Sequence, residues 1–150
     1  MSATPADFAA LMSDFLARCG GAYDPAAAGI EFSADACTAR AVPDPDRSGS
    51  VLIEIEIGEL DVETLAEDAA ALLALHRFNA VSEWMFIIDA DDTPLLRLVR
   101  SIAETDGAML ERLFADGIET ALAAAVIARP REVIAAETRF HGIEAGIVRG

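Results

Sequence analysis

The sequence predicts an α+β domain in which helices pack on an antiparallel sheet, with elements in the order αβββαββα. Three observations predict it. Residues alternate apolar and polar over 30–33 and again over 51–57, the period of half-buried strands. Apolar residues recur at helical spacing in Phe8, Leu11, Phe15 and Leu16, and again in Leu110, Leu113, Phe114, Ile118, Ala121, Leu122 and Ala125. Between these stretches a helix and a hairpin follow one another over 61–102 with almost no connecting sequence.

Taken in order, Thr4-Pro5-Ala6-Asp7 marks a helix start, with Thr4 as N-cap, Pro5 at the first helical position and Asp7 favourable to the dipole. The apolar stripe continues to Cys19, and Gly20-Gly21 ends the helix. Ile30 and Phe32 then oppose Glu31 and Ser33, a second strand spans 37–42, and 43–49 is an exposed turn. In the third strand Val51, Ile53, Ile55 and Ile57 share the packed face, while Glu54 and Glu56 share a solvated one. Asp61 can cap a helix carrying Leu65, Ala69, Leu72, Leu73 and His76 to about Asn79. Residues 84–89 are apolar on both faces, which predicts a strand covered from both sides; 89–94 turns, and 95–102 is the partner strand. The last helix runs to Arg129, where Pro130 stops it. The domain is thus 1–129, and 130–150 is a C-terminal extension, a short helix or a mobile tail.

A chain of 150 residues fits one domain and buries roughly 70% of its unfolded surface. Its formal net charge of −15 would repel a phosphate backbone, which disfavours nucleic acid and anionic membranes as partners. The longest apolar run, 121–128, falls far short of the about 20 residues a bilayer requires, and Asp7 precedes the first basic residue, Arg18, unlike a signal peptide. Cys19 and Cys37 lack metal-type spacing, so two free, buried thiols in a reduced cytoplasm are expected.

The segment Leu72-Leu73-Ala74-Leu75-His76-Arg77-Phe78-Asn79, the hairpin over 84–102 and the start Asp106-Gly107-Ala108-Met109-Leu110 carry a family resemblance. Together with the element order, they resemble the dimerisation helix, late hairpin and closing helix of the class I type III secretion chaperones, the family of the Tir chaperone. The resemblance covers about 5–128. The Gly-rich segment often found before the family's hairpin is here Ala80-Val81-Ser82-Glu83, and the segment after Pro130 exceeds the family core. The resemblance implies a homodimer formed through the second helix, without enzymatic activity of its own. It also implies a partner, a secreted effector whose N-terminal segment is held in extended form and kept soluble and secretion-competent. Contact with the secretion-system ATPase is left open.

On that reading Phe8, Leu11, Phe15, Ile30, Phe32, Met85 and Ile87 are the candidate effector-binding residues, Met being suited to an adaptable surface. Leu72, Leu75, His76, Asn79 and Trp84 are the candidate dimer residues. A core stripe is the rival explanation for the first group, and a helix packed on its own sheet for the second. His76 and His141 have no third ligand at suitable spacing, and Asp89, Asp91 and Asp92 lack the Gly and distal Glu of a calcium loop, so neither metal nor cofactor is expected. Glu54 and Glu56 are the pair that strand alternation alone produces, and no GxSxG, GxxxxGK[ST] or GxGxxG occurs. A regulatory or sensory α+β domain that binds a folded partner is the alternative reading.

Overall fold

The computed structural model describes residues 5–58, 60, 62–79 and 82–127. The elements are α1 (Ala6–Arg18), β1 (Ile30–Ala34), β2 (Cys37–Pro43), β3 (Ser50–Ile57), α2 (Val62–Ala66), α3 (Ala69–Asn79), β4 (Met85–Ile88), β5 (Pro94–Ser101), a short 3-10 turn (Ile102–Glu104) and α4 (Gly107–Ile127). All five strands join one sheet in the order β1-β2-β3-β5-β4, and every neighbouring pair is antiparallel. The expected meander is therefore present, and the late hairpin joins it by setting β5, not β4, against β3.

The core lies on one face of this sheet. Val51, Ile53 and Ile55 of β3 are fully buried, as are Ala41 of β2, Leu96 of β5, Phe8 and Met12 of α1 and Leu110 of α4. Each large side chain so buried contributes about 1.5–3 kcal/mol of transfer free energy. Rings knit the helices to the edge of the meander: Phe114 of α4 sits 5.2 Å from Phe15 of α1 and 4.9 Å edge-on from Phe32 of β1.

Two polar contacts set where α4 starts. Asp106 caps it by accepting the Met109 N–H at 2.8 Å, and Asp14 of α1 accepts the Gly107 N–H at 2.6 Å. A Cβ at position 107 would lie 2.8 Å from the Asp14 carbonyl carbon, so only glycine lets the two helices approach this closely.

Several expectations are corrected. Pro5 stands at the N-cap and not inside α1, while Thr4 and Asp61 lie outside the described residues. The single helix expected over 61–79 is two, because the Asp68 carboxylate accepts the Ala71 N–H at 3.1 Å and so caps a new start at α3. Pro43 ends β2 and Pro94 begins β5, both having been placed in turns. Strand β4 begins at Met85, leaving Trp84 in the approach to it, and β5 hands over to the 3-10 turn at Ile102. Cys37 is buried as expected, but Cys19 is exposed just past α1. The end of the last helix at Arg129 and the extension 130–150 lie outside the described residues.

The β1–β2 hairpin turns on Asp35 and Ala36 alone, with φ of 51° and 66°. Positive φ at both centres of a two-residue turn matches the strand twist, and alanine resists that region. Ala36→Gly is therefore expected to stabilise the fold by about 0.5–1 kcal/mol, measured by urea unfolding.

Candidate functional site

The sheet's second face carries neither α1 nor α4, and strand register builds it row by row. Met85, Arg97, Glu54, Arg40 and Glu31 stand in one line across all five strands. Glu54, expected to be solvated, is instead only 5% exposed. Arg40 Nε donates to its Oε1 at 2.9 Å, and Arg97 Nε and Nη2 donate to its Oε2 at 2.9 and 2.6 Å. Arg40 also reaches Glu56 at 3.8 Å. Burial opposes the charge on Arg40, but the Glu54 hydrogen bond and the carboxylates of Glu54, Glu56 and Glu31 outweigh it and raise its pKa. With both oxygens held, the buried carboxylate is satisfied in place.

Apolar side chains flank this charged row. Val99, Leu52 and Val42 align on one side of it, and Ile87 and Leu95 on the other. Leu95 is fully buried, whereas Met85 is 56% exposed and Ile87 half-buried. Strand β4 is a sheet edge, so the two-sided cover expected for it is absent among the described residues, and Ile88 is exposed as well.

The turn after β4 is held by one carboxylate. Asp89 accepts the N–H groups of Thr93 and Asp91, both at 2.9 Å. The Thr93 hydrogen bond is the main cause that lowers its pKa, with Asp91, Arg40 and Arg97 adding to it against desolvation. These aspartates are thus turn formers. Among the described residues no group of three His, Cys, Asp or Glu is placed to hold a metal ion.

The expected binding residues divide by burial. Phe8 and Phe15 are filled core positions and offer no free face; Leu11 is buried too, although it borders a surface recess with Asp7, Asp14 and Ile102. Ile30 and Phe32 are half-buried against the core, on the face opposite Met85 and Ile87, so the seven residues do not form one surface. Among the dimer candidates, Leu75 and Trp84 are buried within the chain, Leu72 is half-buried and His76 is exposed. Asn79 is spent on its own hairpin: its Oδ1 accepts the Phe86 N–H at 2.7 Å and its Nδ2 donates to the Phe86 carbonyl at 3.2 Å. That clamp ties the end of α3 to the edge strand.

Trp84 is seated against α4. Its Nε1 donates to Asp116 Oδ2 at 3.1 Å, and a Cβ on Gly117 would stand 2.6 Å from its ring. Sequence reasoning missed Leu73, which is 52% exposed on α3, and Ile88.

No family model and no curated protein sequence matches the chain. Solved structures do match. The Yersinia pestis type III secretion chaperone SycH, in complex with a stable fragment of YscM2, aligns with TM-score 0.61 and 17% identity over 78% of this chain and 98% of that one. The HopA1–SchA chaperone–effector complex aligns with TM-score 0.55 and 16% identity over 79% of this chain and 93% of that one. The ExoT–SpcS complex from Pseudomonas aeruginosa gives TM-score 0.50 and 16% identity, over 81% and 96%. The chain therefore carries a class I type III secretion chaperone-like fold. No described helix is long and apolar enough to cross a membrane.

Removing the Glu54 carboxylate leaves two guanidiniums facing each other, with Arg40 keeping only its longer contact to Glu56. Because both arginines keep some contact with water, Glu54→Ala is expected to cost about 1–3 kcal/mol in urea unfolding, below the toll of a fully buried pair.

Proposed function

We propose that the chain is a secretion chaperone that works by binding, holding the N-terminal segment of a secreted effector in extended form and keeping it soluble and secretion-competent. The observation that carries the proposal is the open edge of β4, with Met85 and Ile88 exposed beside half-buried Ile87. An edge strand offers backbone hydrogen bonds to a partner strand of any sequence, and alternate side chains then select it. The likeness to a chaperone solved in complex with its effector supports this use of the fold.

The proposal includes a homodimer about α3, with Leu73 and His76 presented outward and Leu72 beside them. Leu73 is added to the dimer candidates for that reason, while Leu75, Asn79 and Trp84 act by holding α3 and β4 in place. A cytoplasmic setting and contact with a secretion ATPase belong to the same proposal.

A tagged pull-down from native cytosol, with mass spectrometry and light scattering on the complex, tests it. One dominant partner held through its N-terminal segment by two copies of the chain is the expected result. A folded partner that a short extended peptide cannot displace would establish the regulatory-domain reading instead.

Two variants separate the surfaces. Met85→Glu with Ile87→Glu is expected to weaken partner capture at least about tenfold, equivalent to ~1.4 kcal/mol, with the circular dichroism of the free chain unchanged. Leu73→Arg is expected to halve the mass seen by light scattering.

A further inference from the structure

The open edge of β4 runs back into a recess. Ser82, Glu83 and Trp84 lead straight into Met85, and with Asp116 and Glu119 of α4 they line a surface recess of about 360 Å³. No basic residue lines it. Arg100 pairs with Glu83 at 3.1 Å from outside the lining, and Asp116 accepts the Trp84 indole N–H, but neither Asp116 nor Glu119 has a basic partner among the described residues. The recess thus keeps a surplus of negative charge on a chain whose formal net charge is already −15.

We propose that the strand received at the β4 edge carries an arginine or lysine whose side chain enters this recess. The inference rests on the use of that edge proposed above and names the chemistry of its occupant. Successive side chains of a strand point to opposite faces. Met85 and Ile87 lie on the second sheet face and Phe86 on the core face, and Trp84 is seated on α4 on that same core side. A partner strand laid along β4 therefore sets two side chains at alternate positions beside Met85 and Ile87. One residue further on, beside Trp84, its side chain turns to the core side, where α4 presents Asp116 and Glu119. The pattern that fits is an alternating apolar pair with a basic residue immediately next to the member beside Met85. It reads apolar-x-apolar-basic in an antiparallel partner and basic-apolar-x-apolar in a parallel one. Arginine and lysine lay an apolar stem along hydrocarbon while the charged head stays among polar groups, which suits a recess that mixes Trp84 and Ala123 with carboxylates. Charge complementarity also fixes register, which backbone hydrogen bonds along a four-residue edge do not.

Selection of a phage-displayed library of random octapeptides on the intact chain tests it. The parent is compared with Glu119→Arg and Glu119→Gln, which alter an exposed position, and with Asp46→Arg, which reverses an exposed charge in the turn between β2 and β3, with β5 between those strands and β4. Circular dichroism verifies that each variant remains folded. On the parent and on Asp46→Arg, the segments retained are expected to carry the alternating apolar pair with a basic neighbour, that neighbour enriched at least about threefold over the unselected library, the scale of one surface ion pair. On Glu119→Arg the apolar pair is expected to persist and the basic enrichment to disappear, with Glu119→Gln between the two. An apolar pair without a basic neighbour, or basic enrichment that Glu119→Arg leaves unchanged or that Asp46→Arg abolishes equally, would overturn this inference and leave the reading of the edge standing. If no alternating apolar pair is retained by the parent, the reading of the edge fails and the inference falls with it.

Discussion

The seat of Trp84 on Gly117 is the constraint on which the rest of the molecule depends. A side chain at position 117 would occupy the space of the indole ring, and Ile55 of the central strand stands 3.1 Å from the same point. One missing Cβ thus brings α4, β3 and the approach to β4 to a common contact. Asp116 takes the indole N–H, so the ring is fixed in orientation as well as position. From there the chain enters β4 at Met85, and Asn79 returns from α3 to bond both backbone groups of Phe86. The start of β4 is thus tied to the core side of the molecule through two different residues.

The charged row on the second sheet face follows a different logic. Replacing a buried ion pair by apolar residues often costs nothing, so Arg40, Glu54 and Arg97 are poor evidence for stability. They do limit register. A slip of one residue in β2 or β5 would move its arginine to the core face and leave the buried carboxylate unpaired. The row also interrupts what would otherwise be a broad apolar surface between Val42-Leu52-Val99 and Leu95-Ile87.

Most of the fold was legible because its signals are local. The alternation in β3, the stripe of α4 and the Asp-rich turn at 89–94 each act over a few residues, and each appears close to where it was expected. What could not be read depends on distance along the chain. Glu54 and Arg97 are separated by 43 positions, so nothing near either residue signals burial. The break at Asp68 was hidden because one carboxylate can cap a helix or ride on its surface, and periodicity does not choose. Phe8 and Phe15 could not be divided between core and surface, since an aromatic stripe serves both. Leu73 and Ile88 escaped notice for the converse reason: exposure is a property of what fails to pack, which no single segment records.

The two sheet edges differ in a way that bears on which one can receive a strand. β1 presents Glu31 and Ser33 outward and ends in the tight Asp35-Ala36 turn. A charged residue facing out of an edge strand discourages pairing, and a negative one does so most against an acidic chain of the same kind. β4 carries no charge along Met85–Ile88, and its four residues include two that are exposed and apolar. Its shortness alone protects it, since four residues give few hydrogen bonds to an unselected strand. On the proposed reading, a partner supplies side chains that use Met85 and Ile87 as well as a backbone that extends the sheet. Such an edge would reject casual pairing by its length and reward a matching sequence by its surface, the combination that the proposed carrier of unfolded segments needs.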